Sequence, residues 1–115
     1  MSEPTVVQLA TRQLAAYNAA DLDAFCGCYH DDIVVLDEDG SVSLQGAAPF
    51  RERYRPMFEQ GNFGAQVDQR LHLGAHCVDA ESYWRVGADG ERTEGDVLVR
   101  YLARDGKIAV VQFLR

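Results

Sequence analysis

Residues 15–37 read AAYNAADLDAFCGCYHDDIVVLD, and the fold follows from how this stretch divides. Val6, Val7, Leu9, Ala10, Leu14 and Tyr17 recur at helical spacing, with Gln8, Arg12 and Gln13 toward the other side. Pro4 suits the first turn of that helix, where a missing N–H costs nothing. Asn18-Ala19-Ala20 ends it. Asp21 is then a good N-cap for a short second helix, with Asp23 favourable in its first turn. Leu22, Phe25 and Tyr29 form its apolar face, and Asp31-Asp32 closes it. Ile33 to Leu36 is a β-branched run that reads as a strand ending in the carboxylate Asp37.

Beyond Asp37, the segment Asp37-Glu38-Asp39-Gly40 is a turn, and Val42 to Gln45 returns as a short hairpin partner. Its three acids lack the spacing of a calcium loop. Gly46 opens a third helix, with Phe50, Tyr54, Met57 and Phe58 on one stripe. Pro56 is expected to kink or shorten it, and Gly61 to stop it. From Gly64 the period changes to two. Strands are predicted at 64–73, 77–86, 92–103 and 107–114, joined in part by the Asp-Gly turns at Asp89-Gly90 and Asp105-Gly106. In the second of these, Val78, Ala80, Ser82, Trp84 and Val86 alternate with Cys77, Asp79, Glu81, Tyr83 and Arg85. The apolar set, with Trp84, is expected inside, and the set with Tyr83 on a partner surface. Helices followed by antiparallel strands define an α+β fold, and residues 1–115 are read as one domain.

Composition narrows the partners. A formal net charge of −7 with no basic run argues against nucleic acid. The apolar runs are too short to span a bilayer, and the N-terminal MSEPTVVQLATRQ has no signal-peptide pattern, so a cytoplasmic location is expected. Cys26, Cys28 and Cys77 are expected as free thiols. With His30, His72 and His76 they form no zinc pattern, and neither a metal nor a cofactor is expected.

Three motifs, in order, carry a resemblance: Tyr17-Asn18-Ala19-Ala20-Asp21-Leu22-Asp23, then Tyr29-His30-Asp31-Asp32-Ile33-Val34-Val35, then Arg104-Asp105-Gly106-Lys107-Ile108. Together they resemble the NTF2-like superfamily, specifically its SnoaL-like and ketosteroid-isomerase-like branch. The resemblance implies a cone in which three N-terminal helices pack on a strongly curved, mostly antiparallel sheet around an apolar cavity. It also implies a homodimer through the outer sheet face. The same cone serves isomerases, cyclases, dehydratases, epoxide hydrolases and non-catalytic proteins, so function has to be read residue by residue.

By that resemblance Asp37 stands where the isomerase has its general base. Gln13 occupies the position of the tyrosine that stabilises the enolate oxygen, and Tyr17 lies one helical turn later. Leu98 stands where the second donor, a protonated acid, would be; this enzyme is a standard example of a carboxylic acid kept neutral. Arg100 shares the face of Leu98 by alternation and is placed to pair with Asp37 or with an anionic ligand group. Leu14, Tyr54, Phe58, Trp84 and Leu98 are expected to line the cavity, and His72 to be exposed. Two functional readings follow. One is a cofactor-independent isomerase, cyclase or hydrolase acting on a small, largely apolar molecule, with Asp37 as base and Gln13, Tyr17 or Arg100 polarising the substrate. The other is a non-catalytic ligand-binding or dimerisation module whose cavity is filled by its own aromatic rings.

Overall fold

The computed structural model describes residues 3–115. Helix α1 (Val6–Asn18) starts at Thr5, whose side chain takes the Gln8 amide while the Gln8 side chain returns to the Thr5 N–H. This reciprocal cap satisfies two donors that the helix start would otherwise leave bare. Pro4 therefore precedes the cap and does not sit in the first turn. Asp21 caps α2 (Leu22–Cys26) through the Ala24 amide.

The chain then enters β1 (Tyr29–Leu36) four residues earlier than the apolar run suggests. Tyr29 and the two aspartates belong to this strand, not to the end of α2. An irregularity between Tyr29 and Val34 turns Asp31 and Asp32 out to solvent. β2 (Val42–Gln45) follows, then α3 (Ala47–Gln60), β3 (Phe63–Leu73), β4 (His76–Val86), β5 (Arg92–Arg104) and β6 (Lys107–Leu114). The third helix is thus inserted between β2 and β3; only two of the three helices are N-terminal. Pro56 lies inside α3 without ending it, and Gly61, at φ 70°, stops it.

The six strands form one sheet in the order β2-β1-β6-β5-β4-β3. All neighbours are antiparallel except β1 and β6, whose parallel pairing brings the last strand beside the first. Helix α1 packs against β3 through β6, whereas α3 packs closely on β1, β2 and α2. The space between α3 and the strands β4 and β5 is left open. Seven aromatic rings surround its base. Tyr29 and Phe50 lie 4.4 Å apart, Tyr17 and Phe63 4.6 Å, and Phe25 meets Tyr29, Phe50, Tyr54 and Phe58. Such contacts each add roughly 0.5–1.5 kcal/mol to the burial of the rings.

The sheet's two faces are the reverse of the expectation from β4. Cys77 and Asp79 are fully buried, and Glu81 and Tyr83 face the helices. Val78, Ala80, Trp84 and Val86 lie on the outer face. The neighbouring strand β3 carries a bulge. Val67 pairs with Glu81, but Gln69 pairs with Ala80, so Asp68 is the extra residue and the alternation flips behind it. Arg70 is thereby turned inward opposite Asp79. It meets both carboxylate oxygens, at 2.6 and 2.9 Å, and reaches Thr11 of α1 at 2.7 Å. The same flip sends Leu71 and Leu73 outward, where they are 77% and 83% exposed.

A buried carboxylate is tolerated only while its cation is present. Arg70→Met is expected to destabilise the fold by about 3–5 kcal/mol in urea unfolding, and Arg70→Met with Asp79→Leu to recover most of that loss. A single-variant cost below about 1 kcal/mol would show that the pair does not hold the strands.

Candidate active site

Between α3 and the sheet lies a cavity of about 520 Å³, within the usual range for small-molecule sites. Its floor is a tyrosine–glutamine network. Gln13, 5% exposed, donates from Nε2 to the Ala10 carbonyl and to the Tyr101 hydroxyl, both at 3.0 Å, and accepts from the Tyr29 hydroxyl at 3.2 Å. Every strong hydrogen-bonding position of the Gln13 amide except one acceptor lone pair is used by the protein. Gln13 therefore holds Tyr101; its own donors are not free for a ligand. The Tyr101 hydroxyl accepts from Gln13 and keeps its proton to give. Burial pushes Tyr101 and Tyr29 well above the ordinary tyrosine range, and Tyr54 up to about 12, so all three stay protonated donors at neutral pH.

Glu81 is the carboxyl group of this cavity. Burial raises its pKa to about 7, the buried Asp79 beside it adds to the rise, and Arg85 opposes it. Among the described residues neither Glu81 nor the Tyr54 hydroxyl has a hydrogen-bond partner, and neither is sealed away from all space, so both open onto the cavity. Ionised Glu81 also contributes to the raised pKa of Tyr101, which places the two within electrostatic reach. Tyr83 lies flat across Gly95 on the neighbouring strand. A Cβ at Gly95 would stand 2.6 Å from the Tyr83 hydroxyl oxygen, so a side chain there would push the ring into the cavity.

The residues singled out from sequence divide sharply. Gln13, Tyr17 and Tyr54 line the cavity, and Asp37 stands at its mouth, exposed, on the turn after β1. Tyr17 is buried against Phe63; its burial raises its pKa while Arg85 pulls the other way. Phe58 is buried in the aromatic cluster behind the cavity wall. Leu14 is half-buried against β3, outside the cavity.

Trp84, Leu98 and Arg100 are all on the outer face, because the residues that alternate with them, Glu81, Tyr83, Val97, Val99 and Tyr101, take the face toward the helices. Trp84 covers Gly64 and carries Arg92 above its ring at 4.8 Å, and Leu98 is 44% exposed. Arg100 does reach toward Asp37, but through the sheet's outer surface. It donates to Gln112 Oε1 at 3.0 Å, and Gln112 donates to the main-chain carbonyl of Asp37 at 3.1 Å. The link is structural and leaves the Asp37 carboxylate alone. His72 is exposed.

Glu81 and Tyr101 were missed from sequence, as were Arg53 and Arg85 at the mouth. The available signal was that Glu81 alternates with Cys77, Asp79 and Tyr83, a polar set that makes sense on an inner face only if that face lines a site.

A half-open cone with a polar-floored aromatic cavity is the class of architecture that encloses small molecules. The SnoaL-like domain profile matches residues 10–111, and the chain belongs to this family, within the NTF2-like superfamily. No curated protein matches the sequence. Among solved structures, an uncharacterized cystatin fold protein from Novosphingobium aromaticivorans superposes with a TM-score of 0.85 at 24% identity, covering 97% of this chain and 99% of that one. The Δ5-3-ketosteroid isomerase from Mycobacterium sp. gives 0.85 at 15% identity, covering 99% and 94%. An LEH-like epoxide hydrolase from M. tuberculosis gives 0.80 at 19%, covering 95% and 80%. At these identities the likeness establishes the fold. Among the described residues no helix is long and apolar enough to cross a membrane.

The raised pKa of Glu81 carries a stability signature. The folded state keeps the proton to about pH 7, whereas an unfolded glutamate loses it near 4.5. Between those values the native state holds more protons, so stability falls as pH rises and levels off above pH 7. The loss should be on the order of 2 kcal/mol, reduced from the full shift by the group's access to solvent. Glu81→Gln should flatten this slope in urea titrations from pH 5 to 8. An unchanged slope would mean that Glu81 titrates normally.

Proposed function

We propose that the chain binds a small, largely apolar molecule in the cone cavity and transfers a proton on it, in the manner of an isomerase or cyclase. The observation that carries this reading is Glu81: a carboxyl group titrating near neutrality on an aromatic wall, with no protein partner, beside a tyrosine that has a proton to donate. A base with a pKa near the working pH is present in its active form and can also return the proton. As a carbon next to a carbonyl loses its proton, charge builds on the carbonyl oxygen, and the Tyr101 hydroxyl, held by Gln13, is placed to receive it. Tyr54 is a second donor on the same space. Asp37 at the mouth is proposed to act on ligand entry or as an alternative base, a weaker candidate because it stands in solvent, where the apolar surroundings that tune Glu81 are missing. Against a cavity filled by its own rings stands the open volume of about 520 Å³.

The outer sheet face is proposed to pair two copies of the chain, since it exposes Leu71, Leu73 and Leu98 beside the half-buried Trp84 and Val78.

Two experiments test these proposals. Polycyclic ketones that raise the melting temperature should exchange their α-protons for deuterium in the presence of the protein. The rate should climb with pH and level off above about pH 7. Glu81→Gln should slow exchange by about 10²–10⁴-fold, Tyr101→Phe by about 10²–10³-fold, and Asp37→Asn by less than about tenfold. Loss of exchange in Asp37→Asn with full activity in Glu81→Gln would transfer the role to Asp37. Separately, Leu98→Asp should convert a dimer into a monomer in analytical ultracentrifugation; a wild-type monomer would refute the pairing.

A further inference from the structure

The mouth of the cavity gathers three arginines in a molecule whose formal charge is −7. Arg53 of α3, Arg85 of β4 and Arg115 after β6 all line it. Among the described residues five of the ten arginines, at 51, 55, 70, 92 and 104, have carboxylate partners, whereas these three, like Arg12 and Arg100, have none. Two of the three rest on rings that themselves line the cavity: Arg85 lies 5.1 Å from the centre of Tyr83, and Arg115 5.7 Å from that of Phe113. A guanidinium laid on a ring keeps its N–H fork free at the edge while losing part of its water. Arg53 is steadied by Ser43, from Nη1 to the hydroxyl at 3.1 Å and from Nη2 to the carbonyl at 3.2 Å. The charges of Arg53 and Arg85 both act on Tyr54, so the two cations converge on one part of the wall.

We infer that the ligand is an amphipathic monoanion, its apolar ring body in the aromatic cavity and its single acidic group, a carboxylate or sulfonate, held at the mouth by Arg53 and Arg85 with Arg115 beside them. This rests on the cavity reading above and narrows it to a substrate class. The remaining charges fix the limit to one negative group. Asp37 and Glu38 stand on the same rim, and Glu81 lies further in, so a second anionic group would meet a carboxylate. Arginine suits this task because its planar fork matches two acid oxygens at once.

Two naphthalene probes that share a ring system separate charge from shape: anilinonaphthalene sulfonate and its uncharged counterpart phenylnaphthylamine, each followed by fluorescence at low salt. The sulfonate should bind the wild type about tenfold more tightly than the neutral probe, as expected for one anion meeting partly hydrated guanidinium groups. Arg53→Gln with Arg85→Gln should remove that preference and leave the neutral probe within about twofold of wild type. Arg100→Gln, which removes a cation from the outer face, should change neither. Equal binding of both probes by the wild type, or a preference that survives the double substitution, would overturn the inference while leaving the cavity reading standing. A preference lost in Arg100→Gln would also overturn it, by placing the anion on the sheet's outer surface. Failure of both probes to bind would overturn the cavity reading, and the inference with it.

Discussion

A carboxylate wholly out of contact with water, as Asp79 is, has to have a cation held against it, and only one residue on the neighbouring strand can supply that. Arg70 would point outward if β3 alternated regularly from Phe63. The extra residue at Asp68 turns it in, and once turned it is clamped between Asp79 and Thr11 of the first helix. That clamp holds β4 in the orientation that the pairing of Ala65 and Val67 with Tyr83 and Glu81 also gives it, since a one-residue change of register exchanges every side chain between the two faces. With Asp79 inside, Glu81 and Tyr83 must also be inside, and Val78, Ala80 and Trp84 outside. Across the next ladder, Val97, Val99 and Tyr101 turn inward, and Leu98 and Arg100 outward. The ion pair thus locks in the register that turns Glu81, Tyr83 and Tyr101 toward the cavity.

This also explains which parts of the fold could be read from sequence. The helices, the four long strands and their turns were legible within a few residues, because period, cap and glycine signals are local. Tyr29 to Asp32 was read as helix end because its pairing with β6, nearly eighty residues away, leaves no local trace. The face of β4 was misread for a different reason. An apolar alternation normally marks the buried side, but here the buried side is a binding surface, and its polar groups are satisfied by Arg70 or left open to the cavity. The apolar side is the one exposed. Tyr54 and Tyr17 line the cavity, whereas Gln13, expected toward the other side of α1, is buried in its floor, and Leu14, expected inside, lies outside it.

The cavity reflects a balance between packing and chemistry. Seven aromatic rings would close the cone well, yet α3 leaves β4 and β5 uncovered, and among the described residues Glu81 and Tyr54 have no hydrogen-bond partner along the gap. A filled core would be more stable, and a leucine at position 81 would cost less than a carboxyl group that has to stay protonated to remain comfortable. Polar groups left unsatisfied in a largely apolar space are destabilising unless something else completes them. A ligand is what would do so here.

Position along the depth of the cone then separates the two carboxylates that compete for the chemistry. Asp37 sits exposed at the mouth, in contact with bulk water. Glu81 sits where forming the charge costs burial and the repulsion of Asp79, and Arg85 offsets only part of this. That imbalance is what makes it a base of useful strength, since basicity is the free energy regained when the proton returns. The same depth argument gives the arginines their role. At the mouth Arg53 and Arg85 are near enough to Tyr54, and Arg85 to Glu81, to lower the cost of a neighbouring negative charge. A wall running from the arginines of the mouth to titratable carboxyl to neutral tyrosine donors presents a graded field across a few residues, and an amphipathic acid can enter it in one orientation only.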